Sequence, residues 1–358
     1  MLFLFLGIHY IINIGGDNAM KKWMLVSVAV VLLACYGVFL YGWFTRPIPE
    51  ATLSTEIVPT EPTTETIPLT QTLPTETIPV ETVSQETEPI PVKLEVPAVP
   101  IAKHIFVYNC GDSELLYTKG GQTDRIAPAS LTKLLTAYVA LQYLDPDSAV
   151  TIGEEVTWID PASSTSHVEP GDSISVALLI QGMMMQSGND AAYATAVAAG
   201  RVIAGDPSMD AKRALDTFIA EMNTLAQAHG LTGSHFVTPD GLDADGHYTT
   251  PEDMLAIALL AMEEPLICHY AGLSQVNVVY ENGKNYMYKN TNYLLHPNSP
   301  YYCPDAYGLK TGYTSKAGSC LLALFNTDER QLLIGIFGCP TYEDRFKDAT
   351  ILYNIFRS

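Results

Sequence analysis

Three short motifs place hydroxyl and amine groups at spacings that suit acyl transfer to a serine. The first is Ser130-Leu131-Thr132-Lys133, at the predicted start of a helix. Residues three apart share a helix face, so the serine hydroxyl and the lysine amine can meet. A neutral lysine can take the proton of a serine, and burial or a nearby cation lowers the lysine pKa toward neutrality. A surface helix without chemistry is the alternative interpretation of this motif alone.

The second motif, Ser187-Gly188-Asn189, falls in a predicted break between two helices. The hydroxyl of Ser187 would relay a proton to a leaving amine. The amide of Asn189 would bind substrate backbone or hold Lys133. Taken alone, the motif is better explained by one helix ending and an asparagine capping the next.

The third motif, Lys310-Thr311-Gly312, falls on a predicted strand and is the most specific of the three. Lys310 would supply a second cation beside Lys133, and Thr311 would donate a hydrogen bond to a carboxylate. Gly312, which has no side chain, would let a substrate backbone approach the strand edge closely.

In this order, the motifs resemble those of the serine penicillin-binding proteins and β-lactamases. The surrounding sequence resembles more closely the low-molecular-weight D-alanyl-D-alanine carboxypeptidases, over about residues 102–358. The segments that carry the resemblance are Ala127-Pro128-Ala129-Ser130-Leu131-Thr132-Lys133, Met222-Asn223, Gly230-Leu231-Thr232, Phe236-Val237-Thr238-Pro239-Asp240-Gly241-Leu242, His247-Tyr248-Thr249-Thr250-Pro251-Glu252-Asp253, Asn290-Thr291-Asn292 and Leu309-Lys310-Thr311-Gly312-Tyr313-Thr314.

The resemblance implies an acyl-enzyme mechanism on peptidoglycan stem peptides that end in D-Ala-D-Ala. Ser130 would attack the carbonyl of the penultimate D-Ala, and Lys133 would take the serine proton. Ser187, Asn189 and Lys310 would form the proton and substrate network. Water would then release the shortened peptide, and β-lactams would acylate the same serine. No metal or cofactor is implied.

The resemblance also implies how the substrate is held. Thr311 would contact the terminal carboxylate, and the backbone N–H groups of Ser130 and Tyr313 would form the oxyanion hole. Tyr313 departs from the family, which commonly has histidine there. Arg345 would help to hold the carboxylate, and a structural salt bridge from Arg345 to Asp344 or Asp348 is the alternative.

Three other functions compete with this interpretation. A class A-like β-lactamase would have S-D-N as its second motif and a deacylating glutamate before the third, an interval in which Glu221 lies. A zinc D,D-peptidase would need a histidine cluster, whereas the eight histidines are scattered and His247 follows an aspartate-rich predicted turn. A catalytically silent wall-binding scaffold would keep the fold without the chemistry.

The net charge of the 358-residue chain is -20, and its lysines and arginines form no block. Nucleic-acid binding is therefore not expected, because such binding requires a basic surface that neutralises phosphates. Five tyrosines, which would line a sugar-binding groove or anchor loops in the interior, lie close together in the sequence. They are Tyr286, Tyr288, Tyr293, Tyr301 and Tyr302.

Composition divides the chain into four segments. Residues 1–22 are predicted to be cytoplasmic, because Lys21 and Lys22 precede the uncharged apolar run 23–44. That run can cross a hydrocarbon core of about 30 Å and is predicted to be a transmembrane anchor, although a lipobox-like sequence ending at Cys35 leaves lipoprotein anchoring open. Residues 45–100 are rich in Thr, Pro and Glu, which predicts a disordered linker. Residues 101–358 are predicted to be an extracytoplasmic catalytic domain.

Hydrophobic periodicity and turn residues predict an α+β fold for the last segment. The predicted helices are 129–144, 175–185, 189–199, 212–229, 250–262 and 344–356, and the predicted strands are 104–109, 114–118, 275–280, 309–314, 319–325 and 332–337. Strands at both ends of the domain would form one antiparallel sheet with a helical cluster inserted between them, as in β-lactamases and transpeptidases. A two-residue turn at Glu329–Arg330 would place Cys320 opposite Cys339 and make a disulfide conceivable.

Overall fold

The computed structural model describes residues 100–327 and 329–357. The strands are β1 (His104–Asn109), β2 (Glu114–Lys119), β3 (Ala149–Thr151), β4 (Ser173–Ser175), β5 (Gln275–Val279), β6 (Asn285–Lys289), β7 (Ala306–Thr314), β8 (Gly318–Asn326) and β9 (Gln331–Cys339). The helices are α1 (Thr132–Leu141), α2 (Val176–Met185), α3 (Asn189–Ile203), α4 (Ala211–Ala228), α5 (Pro251–Met262), α6 (Pro265–Gly272) and α7 (Asp344–Phe356).

The central sheet has five antiparallel strands in the order β2-β1-β9-β8-β7. The first hairpin of the domain thus pairs with its last strand, and the helices α1–α6 are inserted between them. This confirms the predicted α+β fold with a sheet formed from both ends of the domain. The sheet leaves β7, which carries the third motif, at one edge.

The middle strands are buried on both faces, because a helical layer covers each side of the sheet. In β8, Leu322 and Leu324 face the inserted helices, whereas Leu321, Ala323 and Phe325 face α7. This division follows from the strand geometry, since successive side chains point to opposite faces. Long apolar strands therefore hold β7 between two packed layers.

The inserted helices pack around α1, whose residues from Thr132 to Ala140 are all buried. Close packing of α3 against α4 depends on Gly200, because a β-carbon there would lie 1.9 Å from the carbonyl oxygen of Ala214. The N-terminus of α5 matches its prediction in detail: the side chain of Thr250 accepts a hydrogen bond from the N–H of Asp253, and Pro251 is the first helical residue.

Several elements differ from the sequence predictions. The predicted helix 129–144 begins as a 3-10 turn, Ala129–Leu131, and its α-helical part ends at Leu141. β5 does not join the main sheet but forms a separate hairpin with β6, which was not predicted. The short pair β3–β4 and the helix α6 were also not predicted, because three-residue strands and an eight-residue helix carry little periodic signal.

The predicted opposition of Cys320 and Cys339 is wrong. Asn326 pairs with Gln331, so the connection from β8 to β9 is two residues longer than the predicted turn. A bulge farther along the ladder then places Cys339 opposite Ser319. Both cysteines are free thiols, and the Sγ atom of Cys320 donates to the carbonyl oxygen of Ala317 instead.

The predicted segments 1–22 and 23–44, and the predicted linker apart from Pro100, lie outside the described residues. Among the helices that are described, none by itself has the length and hydrophobicity needed to cross a bilayer. The helices α5 and α6 meet that requirement only as a pair, and the chain bends by 100° between them.

Candidate active site

A cleft of about 420 Å³ runs along the outer edge of β7, where the strand meets the inserted helices. Seven of the nine predicted site residues line it, and the two lysines lie beneath its floor. The lining residues from the prediction are Ser130, Ser187, Asn189, Thr311, Gly312, Tyr313 and Arg345. Residues from four separate parts of the sequence therefore meet in one space.

Ser130 lies in the 3-10 turn that precedes α1. The residue before it, Ala129, has a φ of 51°, which is uncommon for a residue with a side chain. Two glycines pack against this turn: β-carbons would lie 1.8 Å from Ala129 O at Gly241 and 3.2 Å from Ser130 N at Gly312. Tertiary packing thus holds a turn whose backbone conformation is unfavourable by itself.

Lys133 is completely buried, and its Nζ atom contacts three oxygen atoms. The distances are 2.9 Å to Ser130 Oγ, 2.7 Å to Asn189 Oδ1 and 2.8 Å to the carbonyl oxygen of Asp240. The amide and carbonyl oxygens can only accept, so they bind two N–H groups of the lysine. The remaining substituent position of Nζ is directed at the serine hydroxyl. It holds an N–H in the ammonium form and the lone pair in the neutral amine.

Burial lowers the pKa of Lys133 to about 8, because the ammonium form loses its hydration, and the carboxylates of Asp240 and Asp190 limit the decrease. Lys310 is also buried, and its pKa lies well below its usual range because of burial and repulsion by Lys133 and Arg345. The Nζ atom of Lys310 donates to Thr311 O at 3.1 Å. The cleft therefore rests on two buried amines that repel each other when both are protonated.

Ser187 and Asn189 reach the cleft because the chain turns sharply between α2 and α3. Ser187 has a φ of 59°. A β-carbon on Gly188 would lie 1.9 Å from the hydroxyl of Ser166, so a larger residue between the two motif residues would require Ser166 to move. Both motif residues line the cleft, and the amide oxygen of Asn189 lies 2.7 Å from Lys133 Nζ.

Asp190, which follows the second motif, fixes the opposite wall of the cleft. Its carboxylate accepts hydrogen bonds from the N–H groups of Ser166, at 2.8 and 2.9 Å, and Val168, at 2.9 Å. The hydroxyls of Tyr280 and Tyr288 both donate to the carbonyl oxygen of Ser166. Buried Tyr288 is thus a loop anchor, the second of the two roles considered for the tyrosines.

The edge of β7 presents the third motif to the cleft. The Oγ1 atoms of Thr311 and Thr291 lie 2.6 Å apart, and the N–H of Thr291 donates to Met185 O at the end of α2. Tyr313 is 64% exposed at the mouth of the cleft. The strand edge is therefore connected directly to the helix that precedes the second motif.

Arg345 lies at the base of the cleft and is only 2% exposed. Its guanidinium donates to Gly312 O at 3.0 Å and Cys320 O at 3.3 Å, while its Nε atom has no hydrogen-bond partner among the described residues. The alternative salt bridge is wrong: within the described residues, Asp344 pairs with Lys347. Asp348 accepts from backbone N–H groups at Ile101 and Ala102.

Sequence reasoning missed several residues of this site. Among them are Asp240, whose carbonyl oxygen binds Lys133, and Asp243, Thr291 and Tyr342, which line the cleft. The carboxylate of Asp243 joins its loop to the strand end by accepting from the hydroxyl of Thr314 at 2.7 Å. The segments that resemble the family include Asp240 and Thr291, but a backbone carbonyl has no side-chain signature that a sequence could reveal.

Two residues considered in the competing functions lie elsewhere. Glu221 accepts a hydrogen bond from the hydroxyl of Tyr143 at the surface of α4 and does not line the cleft. His247 is buried, and burial lowers its pKa to about 4. Its Nδ1 atom accepts from the N–H of Val237, and its Nε2 atom lies 3.1 Å from the hydroxyl of Thr132.

Comparisons with known proteins show the family to which this chain is similar. The family model described as D-alanyl-D-alanine carboxypeptidase, peptidase S11, matches residues 95–341. The carboxypeptidase DacF of Bacillus subtilis is 28% identical over 253 residues, which are 70% of this chain and 60% of that protein. DacA of Escherichia coli K12 is 33% identical over 269 residues, which are 71% of this chain and 60% of that protein. This chain thus spans about three fifths of the length of each relative.

A solved structure shows the same fold. The DD-transpeptidase of Streptomyces K15 aligns with a TM-score of 0.64 and 29% sequence identity, covering 73% of this chain and 98% of that one. Since the family model matches well over half of the 358 residues, and since the three motifs meet in one cleft, this chain belongs to the D-alanyl-D-alanine carboxypeptidase family, peptidase S11.

Proposed function

We propose that this protein is a serine D-alanyl-D-alanine carboxypeptidase that removes the terminal D-Ala from peptidoglycan stem peptides. The observation that carries the proposal is the 2.9 Å contact between Lys133 Nζ and Ser130 Oγ in a buried site. A pKa of about 8 gives the lysine a substantial neutral fraction near neutral pH, which is what a general base requires.

In the proposed acylation step, neutral Lys133 accepts the proton of Ser130. The oxygens of Asn189 and Asp240 bind the two N–H groups of the neutral amine, so its lone pair points at the hydroxyl. The serine oxygen then attacks the penultimate carbonyl, and the C–N bond to the terminal D-Ala breaks. Ser187, which lines the same cleft, relays a proton to the leaving amine.

In the same proposal, the terminal carboxylate lies between Thr311 and Arg345. The position of Arg345 supports this role, because the residue lines the cleft together with Thr311 and its guanidinium is held by the carbonyl oxygens of Gly312 and Cys320. The N–H groups of Ser130 and Tyr313 stabilise the oxyanion, and Lys310 supports the strand edge from below by donating to Thr311 O. Water hydrolyses the ester, with Lys133 acting again as the base.

The β-lactamase alternative is weaker than this proposal. Fast hydrolysis of a penicilloyl ester requires a base that activates water near the acyl group, and the class A enzymes use a glutamate. Glu221 bonds Tyr143 at the surface of α4, and the acidic residues that line the cleft are Asp160, Asp240 and Asp243. Acylation by penicillin followed by slow loss of the adduct is therefore expected.

The test is to incubate the purified full-length protein, beside Ser130→Ala, with a fluorescent penicillin and with a diacyl-Lys-D-Ala-D-Ala peptide. The proposal requires a long-lived penicillin adduct and release of one D-Ala per peptide, both absent from the variant. Rapid turnover of penicillin without D-Ala release would instead establish a β-lactamase. Absence of both signals would leave the wall-binding scaffold.

We also propose that residues 23–44 anchor the protein in a membrane and that residues 45–100 separate the anchor from an extracytoplasmic catalytic domain at 101–358. The uncharged apolar run preceded by Lys21 and Lys22 supports this orientation. The protein should stay with membranes during alkaline extraction, and external protease should digest the domain in cells without their wall. A Cys35→Ala variant that is released from the membrane would favour the lipoprotein alternative, and a protected domain would contradict the orientation.

A further inference from the structure

A hydrogen bond closes one end of the active-site cleft. The hydroxyl of Tyr342 donates to the carbonyl oxygen of Thr291 at 3.1 Å. Both residues line the cleft, and both also line a neighbouring space of about 480 Å³, here called the side cavity. This pair, here called the Tyr342–Thr291 bridge, therefore forms a wall between the cleft and the side cavity.

Thr291 is held firmly on its side of the bridge. Its N–H donates to Met185 O at 3.1 Å, and its Oγ1 atom lies 2.6 Å from Thr311 Oγ1. Its neighbours Asn290 and Asn292 are buried and form hydrogen bonds through their side chains. The bridge thus ends on a fixed residue that touches Thr311, where the substrate carboxylate is proposed to lie.

Tyr342 is held by a cation and by other aromatic rings. The Cζ atom of Arg345 lies 4.0 Å from the centroid of the Tyr342 ring, which is a cation–π contact. The rings of Tyr293 and Phe346 pack edge-on against it, with centroids 5.4 and 5.5 Å away. Because Tyr342 contacts Arg345 directly and reaches Thr311 through Thr291, the bridge spans both residues that are proposed to bind the carboxylate.

The terminal residue of the substrate occupies the end of the cleft that the bridge closes. Its nitrogen is bonded to the carbonyl carbon that Ser130 attacks, and its carboxylate lies between Thr311 and Arg345. A methyl side chain needs little room there, whereas a longer side chain that extends away from Ser130 meets the Tyr342 ring. We propose that Tyr342 is a specificity-determining residue that restricts the leaving residue to one with a small side chain, such as D-Ala. This inference rests on the proposed function.

The discrimination is steric. A bulky leaving residue has to break the hydrogen bond to Thr291 or push the ring of Tyr342 away from the guanidinium of Arg345. Either displacement costs binding free energy that a D-Ala substrate does not lose, so the clash selects against the wrong substrate. Without the ring, the cleft would open into the side cavity, whose walls include Asn298 and Pro300, and a larger side chain would fit.

The test compares two peptides on the full-length protein, diacyl-Lys-D-Ala-D-Ala and diacyl-Lys-D-Ala-D-Leu, and measures kcat/KM for release of the terminal residue. The unchanged protein should favour the D-Ala peptide by about tenfold or more, as expected for a pocket that excludes extra methylene groups. Tyr342→Ala should bring this ratio to within about threefold of one. The ratio is the readout because displacement of Arg345 alone would lower both values equally.

Tyr342→Phe keeps the ring over Arg345 and loses only the hydrogen bond to Thr291. Its ratio should fall by a smaller factor, about twofold to tenfold, while kcat/KM for the D-Ala peptide stays within about twofold of the unchanged protein. Tyr302→Ala is the matched control, since Tyr302 is 45% exposed and lines neither space. It should leave the ratio unaltered.

Equal hydrolysis of both peptides by the unchanged protein would overturn the inference while the proposed function stands. A ratio that neither Tyr342 variant alters would also overturn it, because Tyr342 would then only support Arg345. If neither peptide reacts and no penicillin adduct forms, the proposed function itself fails.

Discussion

Gly241 lies against the carbonyl oxygen of Ala129, so close that a β-carbon on the glycine would be 1.8 Å from that oxygen. Gly241 also has a φ of 87°, a conformation that residues with side chains rarely adopt. The loop that supplies the carbonyl of Asp240 to Lys133 is thus packed directly onto the turn that carries the serine. Ser130 and the carbonyl group that holds Lys133 therefore lie on two segments in direct packing contact.

Gly241→Ala should separate the loop from the serine turn. Gly246→Ala is the matched control, because Gly246 has a φ of 82° in the same loop but its nearest neighbours would be 3.7 Å away. Both substitutions impose backbone strain. The additional steric clash should lower the free energy of unfolding of Gly241→Ala by about 1–3 kcal/mol more than that of Gly246→Ala. Urea denaturation would measure this difference, and penicillin labelling should be slowed only by Gly241→Ala. Equal effects of the two substitutions would show that the contact with Ala129 is unimportant.

The acylation rate should rise with pH and level off above about pH 8. Lys133 must be neutral to accept the serine proton, and its pKa is lowered to about 8, so its neutral fraction falls about tenfold per pH unit below that value. Stopped-flow measurement of penicillin acylation between pH 5 and 10 would give the profile. A rate that is independent of pH over this range would rule out Lys133 as the base.

Asn189→Asp provides a second test of the same assignment. A carboxylate 2.7 Å from Lys133 Nζ favours the ammonium form and should move the rise of the pH profile upward by about one pH unit or more. Asn223→Asp is a control, since Asn223 bonds backbone groups of Ile219 and Phe236 away from the cleft. If Asn189→Asp slows acylation without shifting the pH profile, Asn189 affects the reaction by binding substrate and not by setting the pKa of Lys133.

Arg345→Lys should reduce recognition of the substrate carboxylate, because lysine keeps the charge but loses the planar arrangement of donors. Acylation by penicillin should slow about tenfold or more, the size expected for losing a hydrogen bond to a charged group. The methyl ester of the same penicillin lacks the carboxylate. Its acylation rate should be the same for Arg345→Lys as for the unchanged protein. Arg330→Lys, near the end of α7, is the control. Equal losses with acid and ester would indicate that Arg345 only supports β7 and β8.

Asp190→Asn should loosen the wall of the cleft opposite β7. Its carboxylate accepts from the N–H groups of Ser166 and Val168, and an asparagine NH₂ group cannot accept. At least one buried N–H would lose its partner, at a cost of about 1–3 kcal/mol. Thermal unfolding would show the loss of stability, and peptide turnover should fall. Asp210→Asn, at the exposed start of α4, is the control and should have a small effect on both. Unchanged turnover would show that this wall does not contact substrate.

Local sequence determined much of what the structure shows. The types and spacing in the three motifs indicated the chemistry, since Ser130 and Lys133 need only one helix to meet. Capping residues located the start of α5 at Pro251, and the last helix spans Asp344–Phe356 as predicted. These features depend on interactions between residues that are close in the chain, which a sequence displays directly.

Tertiary structure decided the rest. The pKa of Lys133 depends on burial by helices far away in the chain, and its third oxygen partner is a backbone carbonyl, which every residue has. The length of the β8–β9 connection and a bulge separated Cys320 from Cys339. Each of these outcomes depends on distant packing and strand register, for which a single sequence carries no periodic or local signal.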